Sequence, residues 1–160
     1  MNYPDFNTPF YTQHAVLLCS SYKRWTGKKL LSTEHKASNL IEALFDAPLV
    51  LVAHGTEKDS VFNFGNRAAL QLFETDWEDF IRLPSRLSAD QDNQDDRARL
   101  MATVSANGHA TDCKGVRISA SGRRFLITGA TVWNVDDDNG KYHGQAAMFT
   151  CWSYLEDQDA

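Results

Sequence analysis

The sequence predicts an α+β fold, a five-stranded antiparallel sheet with helices on one face and two additional helices ahead of it. Three observations lead there. Residues 113–154 read as three consecutive long strands, residues 37–45 carry a single apolar helical face, and two short apolar runs with short helical segments lie between them. The order of elements is therefore two helices, two strands, short helices, one longer helix and three strands.

Thr8 followed by Pro9 marks the first helix start, because Thr can cap free amides and Pro needs no bond of its own in the first turn. Phe10, Leu17, Leu18, Tyr22 and Trp25 recur near helical spacing until Gly27 ends the helix. Ser32 or Thr33 is expected to cap the second helix, where Ala37, Leu40, Ile41, Leu44 and Phe45 form one stripe before Pro48. These two helices cannot bury their stripes against each other alone, so they are expected to lie across the sheet. Residues 49–53 and 61–64 read as a hairpin, and Asn66 is placed to cap a short helix with Ala69, Leu70, Leu72 and Phe73 inward. Trp77, Phe80, Ile81 and Leu83 continue an irregular apolar stretch to Pro84. A polar acidic run then precedes a helix over 94–105, with Leu100, Met101 and Val104 inward and Asn107-Gly108 as its stop.

In the meander, Val116 and Ile118 alternate with Arg117 and Ser119, and Ser121-Gly122 supplies a tight turn. Strict alternation puts Phe125, Ile127, Gly129, Thr131 and Trp133 on one face and Leu126, Thr128, Ala130 and Val132 on the other. This strand is expected to be central, with Phe125 and Trp133 buried. Asn139-Gly140 predicts a type I′ hairpin turn, and the third strand runs over 145–152, with Cys151 read as a small core residue. Gly129, Ala130, Ala146 and Ala147 leave room for a helix or a ligand to approach the sheet.

A chain of 160 residues with 42% apolar composition is sized for one domain with a real core. The expected divisions are a helical extension over 1–46, the sheet domain over 47–155 and a frayed acidic tail over 156–160. A net charge of −5, with no basic cluster beyond Arg123-Arg124 or Lys28-Lys29, argues against nucleic acid as a partner. Cys19, Cys113 and Cys151 are an odd set at wide spacing, which indicates neither a disulfide framework nor a zinc site. The first residues lack the pattern of a signal peptide, and no stretch reaches membrane-span length, so a cytoplasmic protein without a membrane partner is expected.

The order of elements is that of a PAS domain. The run Val61-Phe-Asn-Phe-Gly-Asn66-Arg-Ala-Ala-Leu70 resembles the PAS segment in which a strand enters Asn and then the Ala and Leu of the next helix. Leu83-Pro-Ser-Arg86, Gly115-Val-Arg-Ile-Ser119, Gly122-Arg-Arg-Phe125, Ala130-Thr-Val-Trp-Asn134 and Gly144-Gln-Ala-Ala-Met-Phe149, with Trp152 after them, are similar to the MEKHLA-domain family. That family is PAS-like, occurs alone in bacteria and sits at the C-terminus of plant class III homeodomain–leucine zipper proteins. The literal string Met-Glu-Lys-His-Leu-Ala is absent from this chain.

The resemblance implies a cavity between sheet and helices, bordered by Leu51, Phe62, Phe64, Leu72, Phe73, Trp77, Leu83, Ile127, Gly129, Trp133, Gln145 and Met148. A filled core has the same composition, so both readings stay open. Light-sensing PAS domains place a reactive cysteine just after their first short helices; this chain has Ser85 in the similar place, and a hydroxyl cannot replace a thiolate. Neither flavin photochemistry nor noncovalent flavin is expected. Haem would need His54 or His109 as an axial ligand, and both read as loop residues. The histidines show no metal-binding spacing, and the acidic residues at 95–96 and 136–138 read as capping and hairpin groups, so neither a metal nor a catalytic set is expected.

The expected function is a small sensory or interaction module, without an output domain on the same chain, that binds a small apolar or amphipathic ligand, a protein partner, or both. The alternatives are a small enzyme using the sheet-facing cavity and a ligand-free dimerisation scaffold. In PAS domains such leading helices often lie on the outer face of the sheet and join two protomers, so a homodimer or another protein partner is expected through the first helix.

Overall fold

The computed structural model describes residues 3–155, so the tail expected over 156–160 lies outside the described residues. Helices α1 (Pro9–Thr26) and α2 (Ala37–Phe45) precede strands β1 (Val50–His54) and β2 (Phe62–Gly65). The short helices α3 (Arg67–Leu72) and α4 (Trp77–Phe80) and the longer α5 (Gln94–Asn107) come next. Strands β3 (His109–Ile118), β4 (Arg124–Asp136), β5 (Tyr142–Phe149) and β6 (Cys151–Tyr154) complete the described chain. All pairings are antiparallel in the order β2-β1-β5-β4-β3, with β6 continuing β5 along β4.

The last strand, expected as one run, is interrupted at Thr150, yet its register against β4 is unbroken: Met148 faces Thr131 and Cys151 faces Thr128. Opposite the interruption stands Gly129 with φ 67°, a left-handed conformation that a side chain would resist. This glycine reverses the alternation of β4. Phe125 and Ile127 share a core cluster with Ala130, whereas Trp133 and Val135 belong to the cluster on the other side. The strict alternation expected for this strand, which set Ile127 and Trp133 side by side, is corrected by that one reversal.

Each face of the sheet carries its own helices. On the outer face α1 buries His14, Ala15, Leu18, Ser21 and Tyr22, and α2 buries Ile41, Leu44 and Phe45, against Leu51, Phe64, Trp133 and Ala146. Trp133 is 0% exposed. Its indole N–H donates to Ser21 Oγ over 2.9 Å, and its ring meets Tyr22 edge-on at 4.9 Å. Trp25 donates to the Asn134 carbonyl over 3.1 Å, and Arg24 pairs with Asp136 and Asp138, fixing the C-terminal half of α1 to the β4–β5 hairpin. The apolar stripe of α1 is thus consumed within the chain, leaving Phe10 (49% exposed) and Val16 as its exposed large apolar groups. On the inner face α3, α4 and α5 pack over Val50, Phe62, Phe125, Ile127 and Phe149.

Other local expectations shift for identifiable reasons. Asn66 caps α3 as expected, its side chain accepting from the Ala69 amide. Helix α2 starts at Ala37 after Lys36, not at Ser32 or Thr33, because Leu30 dips into the core and holds the preceding segment out of helix. The irregular apolar stretch contains the turn α4, capped by the Asp76 carboxylate. Strand β3 begins at His109, four residues before Cys113, since His109 and Ala110 pair with Trp133 and Val132 ahead of a bulge. The Asn139-Gly140 hairpin is not type I′: Gly140 alone takes positive φ, and the Asp137 amide bonds the Lys141 carbonyl across a longer loop. Cys151 is exposed rather than a core residue.

His14 is a buried imidazole whose Nε2–H donates to Asn63 Oδ1 over 3.1 Å. Burial pushes its pKa down from 6.5 to about 4. Because the unfolded chain takes the proton first, the native state loses stability as pH falls from 6.5 towards 4, by up to about 3 kcal/mol. His14→Gln keeps the donor and should flatten the pH dependence of urea midpoints across that window; an unchanged slope would show that other groups dominate it. Trp133→Ala should lower stability by about 3–5 kcal/mol in the same urea titrations. A variant that melts like the parent would show that the indole anchors nothing.

Candidate functional site

Because β1, β5 and β4 lie side by side, every second residue of each faces α5, and small side chains there keep the helix from closing fully on the sheet. Val52, Ala147, Phe149, Ala130 and Val132 form the floor, Ile127, Phe62 and Phe73 one end, and Leu100 and Met101 of α5 the cover. Between them is a cavity of about 60 Å³, counted as space open to the centres of water-sized spheres. At about 15 Å³ for each water by that measure, this is room for roughly four waters, or a slender organic group.

The polar groups around it are few and placed. Gln145 is 2% exposed, and its amide donates to the Met101 carbonyl (3.0 Å), Ser105 Oγ (3.0 Å) and Asn134 Oδ1 (3.1 Å), tying the sheet to α5. His54, paired with Gln145 across β1 and β5, is 9% exposed. Its Nδ1 lies 3.1 Å from the Gly55 carbonyl, which fixes the proton there and leaves Nε2 an acceptor. That Nε2 is buried, and the Gln145 side chain is the polar group that interacts with the ring there. Burial holds the imidazole pKa below its ordinary value, so the ring is neutral near pH 7. The other margin carries Ser88, Arg97, Lys114 and Arg117. Beyond it lies an outer cleft of about 250 Å³ that shares Arg97, Leu100, Lys114, Gly115 and Arg117 with the inner cavity. Cys113 also lines the cavity, its thiol pushed up by burial and then by the Asp112 carboxylate, away from the reactive thiolate.

Of the cavity candidates, Phe62, Phe73, Ile127 and Gln145 come together here. Leu51, Phe64, Trp77, Trp133 and Met148 pack into the outer-face core under α1 and α2, Leu72 and Leu83 fill the inner core away from the cavity, and Gly129 is exposed at the strand reversal. Among the small residues, Ala130 and Ala147 leave the cavity open, while Ala146 stands opposite Trp133 and makes room for that indole. His54 and His109, read as loop residues, both lie in strands; His109 stacks on Trp25 at 5.8 Å on the α1 side. Ser85 is buried, with its hydroxyl 2.6 Å from Ser60 Oγ, and does not line the cavity. Sequence reasoning missed Arg97 and Arg117. The signal for Arg97 was its spacing: with Leu100, Met101 and Val104 it falls at i, i+3, i+4 and i+7, a cation on the inward stripe.

Among the described residues no three His, Cys, Asp or Glu side chains cluster as a metal site, and no helix is long and apolar enough to cross a membrane. A family model described as the MEKHLA domain matches residues 12–154. The chain is similar to the homeobox-leucine zipper protein ATHB-9 of Arabidopsis thaliana, 26% identical over 140 residues, covering 84% of this chain and 17% of that protein. It is similar as well to HOX10 of Oryza sativa subsp. japonica, 25% identical over 139 residues, covering 86% and 17%. The chain thus spans about one sixth of the length of these relatives. Among solved structures, the PAS domain of a Colwellia psychrerythraea protein aligns with TM-score 0.59 and 12% identity, covering 71% of this chain and 92% of that one. An RNA-binding light-oxygen-voltage receptor aligns with TM-score 0.61 and 15% identity, covering 76% and 35%. At such identities the alignments establish a PAS-type fold and nothing finer.

Proposed function

The chain belongs to the MEKHLA-domain family, and on that footing we propose that it is a sensory module whose cavity under α5 takes one small, largely apolar ligand and passes its occupancy to a protein partner. The observation that carries this reading is the void that Ala130 and Ala147 leave between the sheet and α5, apolar in its floor and polar at its margins. Room for about four waters suits a short chain or a single ring rather than a flavin or a haem.

Binding, not turnover, is the activity proposed. The polar groups at the cavity are cations, an amide, a neutral imidazole and the Ser88 hydroxyl, which donates to the Ser85 carbonyl, and burial raises the pKa of the Cys113 thiol that lines it. Output by association, to a second copy or to another protein, would use the exposed apolar groups of α1, Phe10 near its start or Val16 on another flank. A cytoplasmic setting is part of the proposal and accords with three free cysteines.

Native mass spectrometry of the purified protein, followed by denaturing extraction, tests the reading. The expected result is a colourless noncovalent adduct that Ala147→Leu, which fills the cavity, removes while the circular dichroism stays native. Absence of any adduct, together with no thermal shift from small apolar compounds, would overturn it. Blue light should produce no bleaching and dark recovery, since Ser85 supplies no thiol and its hydroxyl is engaged by Ser60.

A further inference from the structure

The charged groups around the cavity are all of one sign. Arg97 on α5 and Arg117 on β3 line both the inner cavity and the outer cleft, so they stand where the two meet, with Lys114 beside them. Neither guanidinium has a carboxylate partner among the described residues: the arginines in ion pairs there are Arg24, Arg67, Arg86, Arg99 and Arg124. Asp96, the acid on the cleft, is engaged by Arg99. Arg117 donates from Nη1 to the Val116 carbonyl over 2.8 Å, and Arg97 makes no hydrogen bond to a described residue.

This is an expensive arrangement for a fold to keep. Half-buried cations without counter-charges lose hydration and, side by side, repel one another. Burial first, and then the charge of Arg117, push the Arg97 pKa down to about 10, and Arg97 in turn opposes a proton on His54. The Arg117 guanidinium lies over Gly115, where a Cβ would stand 2.8 Å from Nη1. Planar guanidinium groups are suited to gripping a carboxylate or phosphate through paired N–H donors.

We infer that the ligand is a small organic anion, an apolar body with one carboxylate or phosphate head, the head held by Arg97 and Arg117 and the body in the cavity beneath α5. This rests on the ligand-binding reading above and names the ligand's chemistry. Gln145 is bonded to Met101 and Ser105, four and eight residues along α5 from Arg97, so the body has about 6–12 Å of helix to run beneath before it meets the Gln145–His54 end.

Isothermal titration of the full chain with hexanoate, benzoate and phenyl phosphate, against hexanol and benzyl alcohol as uncharged counterparts, tests this. Parent, Arg97→Gln, Arg117→Gln and, as a matched charge control, Arg82→Gln are compared. The expected result is that the anions bind the parent about 10-fold to 100-fold tighter than the alcohols, the span of one or two charged hydrogen bonds. Arg97→Gln and Arg117→Gln should each abolish that preference, and Arg82→Gln should keep it. The ligand-free melting temperature of Arg97→Gln should hold or rise, because an unpaired buried charge is removed. A lead of benzoate over phenyl phosphate, or the reverse, identifies the head group, and either supports the inference. Alcohols that bind the parent as tightly as the acids would overturn it while leaving the cavity reading standing. Anion affinity unchanged in both arginine variants would overturn it in the same way. If neither acids nor alcohols bind, the cavity reading falls and this inference with it.

Discussion

Asn66 is fully buried, and its side chain closes four hydrogen bonds at the point where the outer helices, the sheet and the inner helices converge. Oδ1 accepts from the amides of Leu51 and Ala69; Nδ2 donates to the carbonyls of Leu44 and Leu49. Its own amide adds a bond to the Leu51 carbonyl. One side chain therefore ends α2, holds the start of β1, finishes β2 and caps α3. A buried amide with every donor and acceptor matched fixes relative positions in a way that apolar contacts, being non-directional, do not. The short helices α3 and α4 bury Ala69, Leu72 and Phe80 in the inner core, and this junction sets where the chain enters α3.

The sheet so positioned is used on both sides. Its outer face is closed by α1 and α2 through Trp133, Phe64 and Leu51, and its inner face is only partly closed by α5, because Ala130 and Ala147 hold no bulk up to the helix. The asymmetry follows from side-chain volume. Both core clusters mix aromatic groups with alanines, but the outer Ala146 stands opposite Trp133, whereas Ala130 and Ala147 beneath α5 meet no such bulk and leave a void.

The elements were legible because their signals are local. The stripe of α2, the cap at Asn66, the stop at Gly108 and the burial of Phe125 and Trp133 all follow from a few neighbouring residues. The site was less legible because it depends on which way each strand residue points. A single glycine with positive φ at 129 decides whether Trp133 shares a face with Ile127, and residue type alone does not give that angle. For the same reason Leu51, Phe64 and Met148 belong to a packed core while Phe62, Phe73 and Gln145 reach the cavity, although all six suit either place. Arg97 and Arg117 read as surface charges until tertiary structure brings a helix and a strand together around them.

Beyond Gly129, strand β4 is a partition with one surface towards the cavity and the other towards α1. Val132, in the cavity floor, and Trp133, the anchor beneath α1, are successive residues. Asn134 then joins both sides in one residue, its side chain accepting from Gln145 and its carbonyl accepting from Trp25 of α1. Three consecutive residues thus connect the cavity floor to the outer helix, with no intervening loop. The two compartments differ in solvent access and packing but share one strand as their common wall.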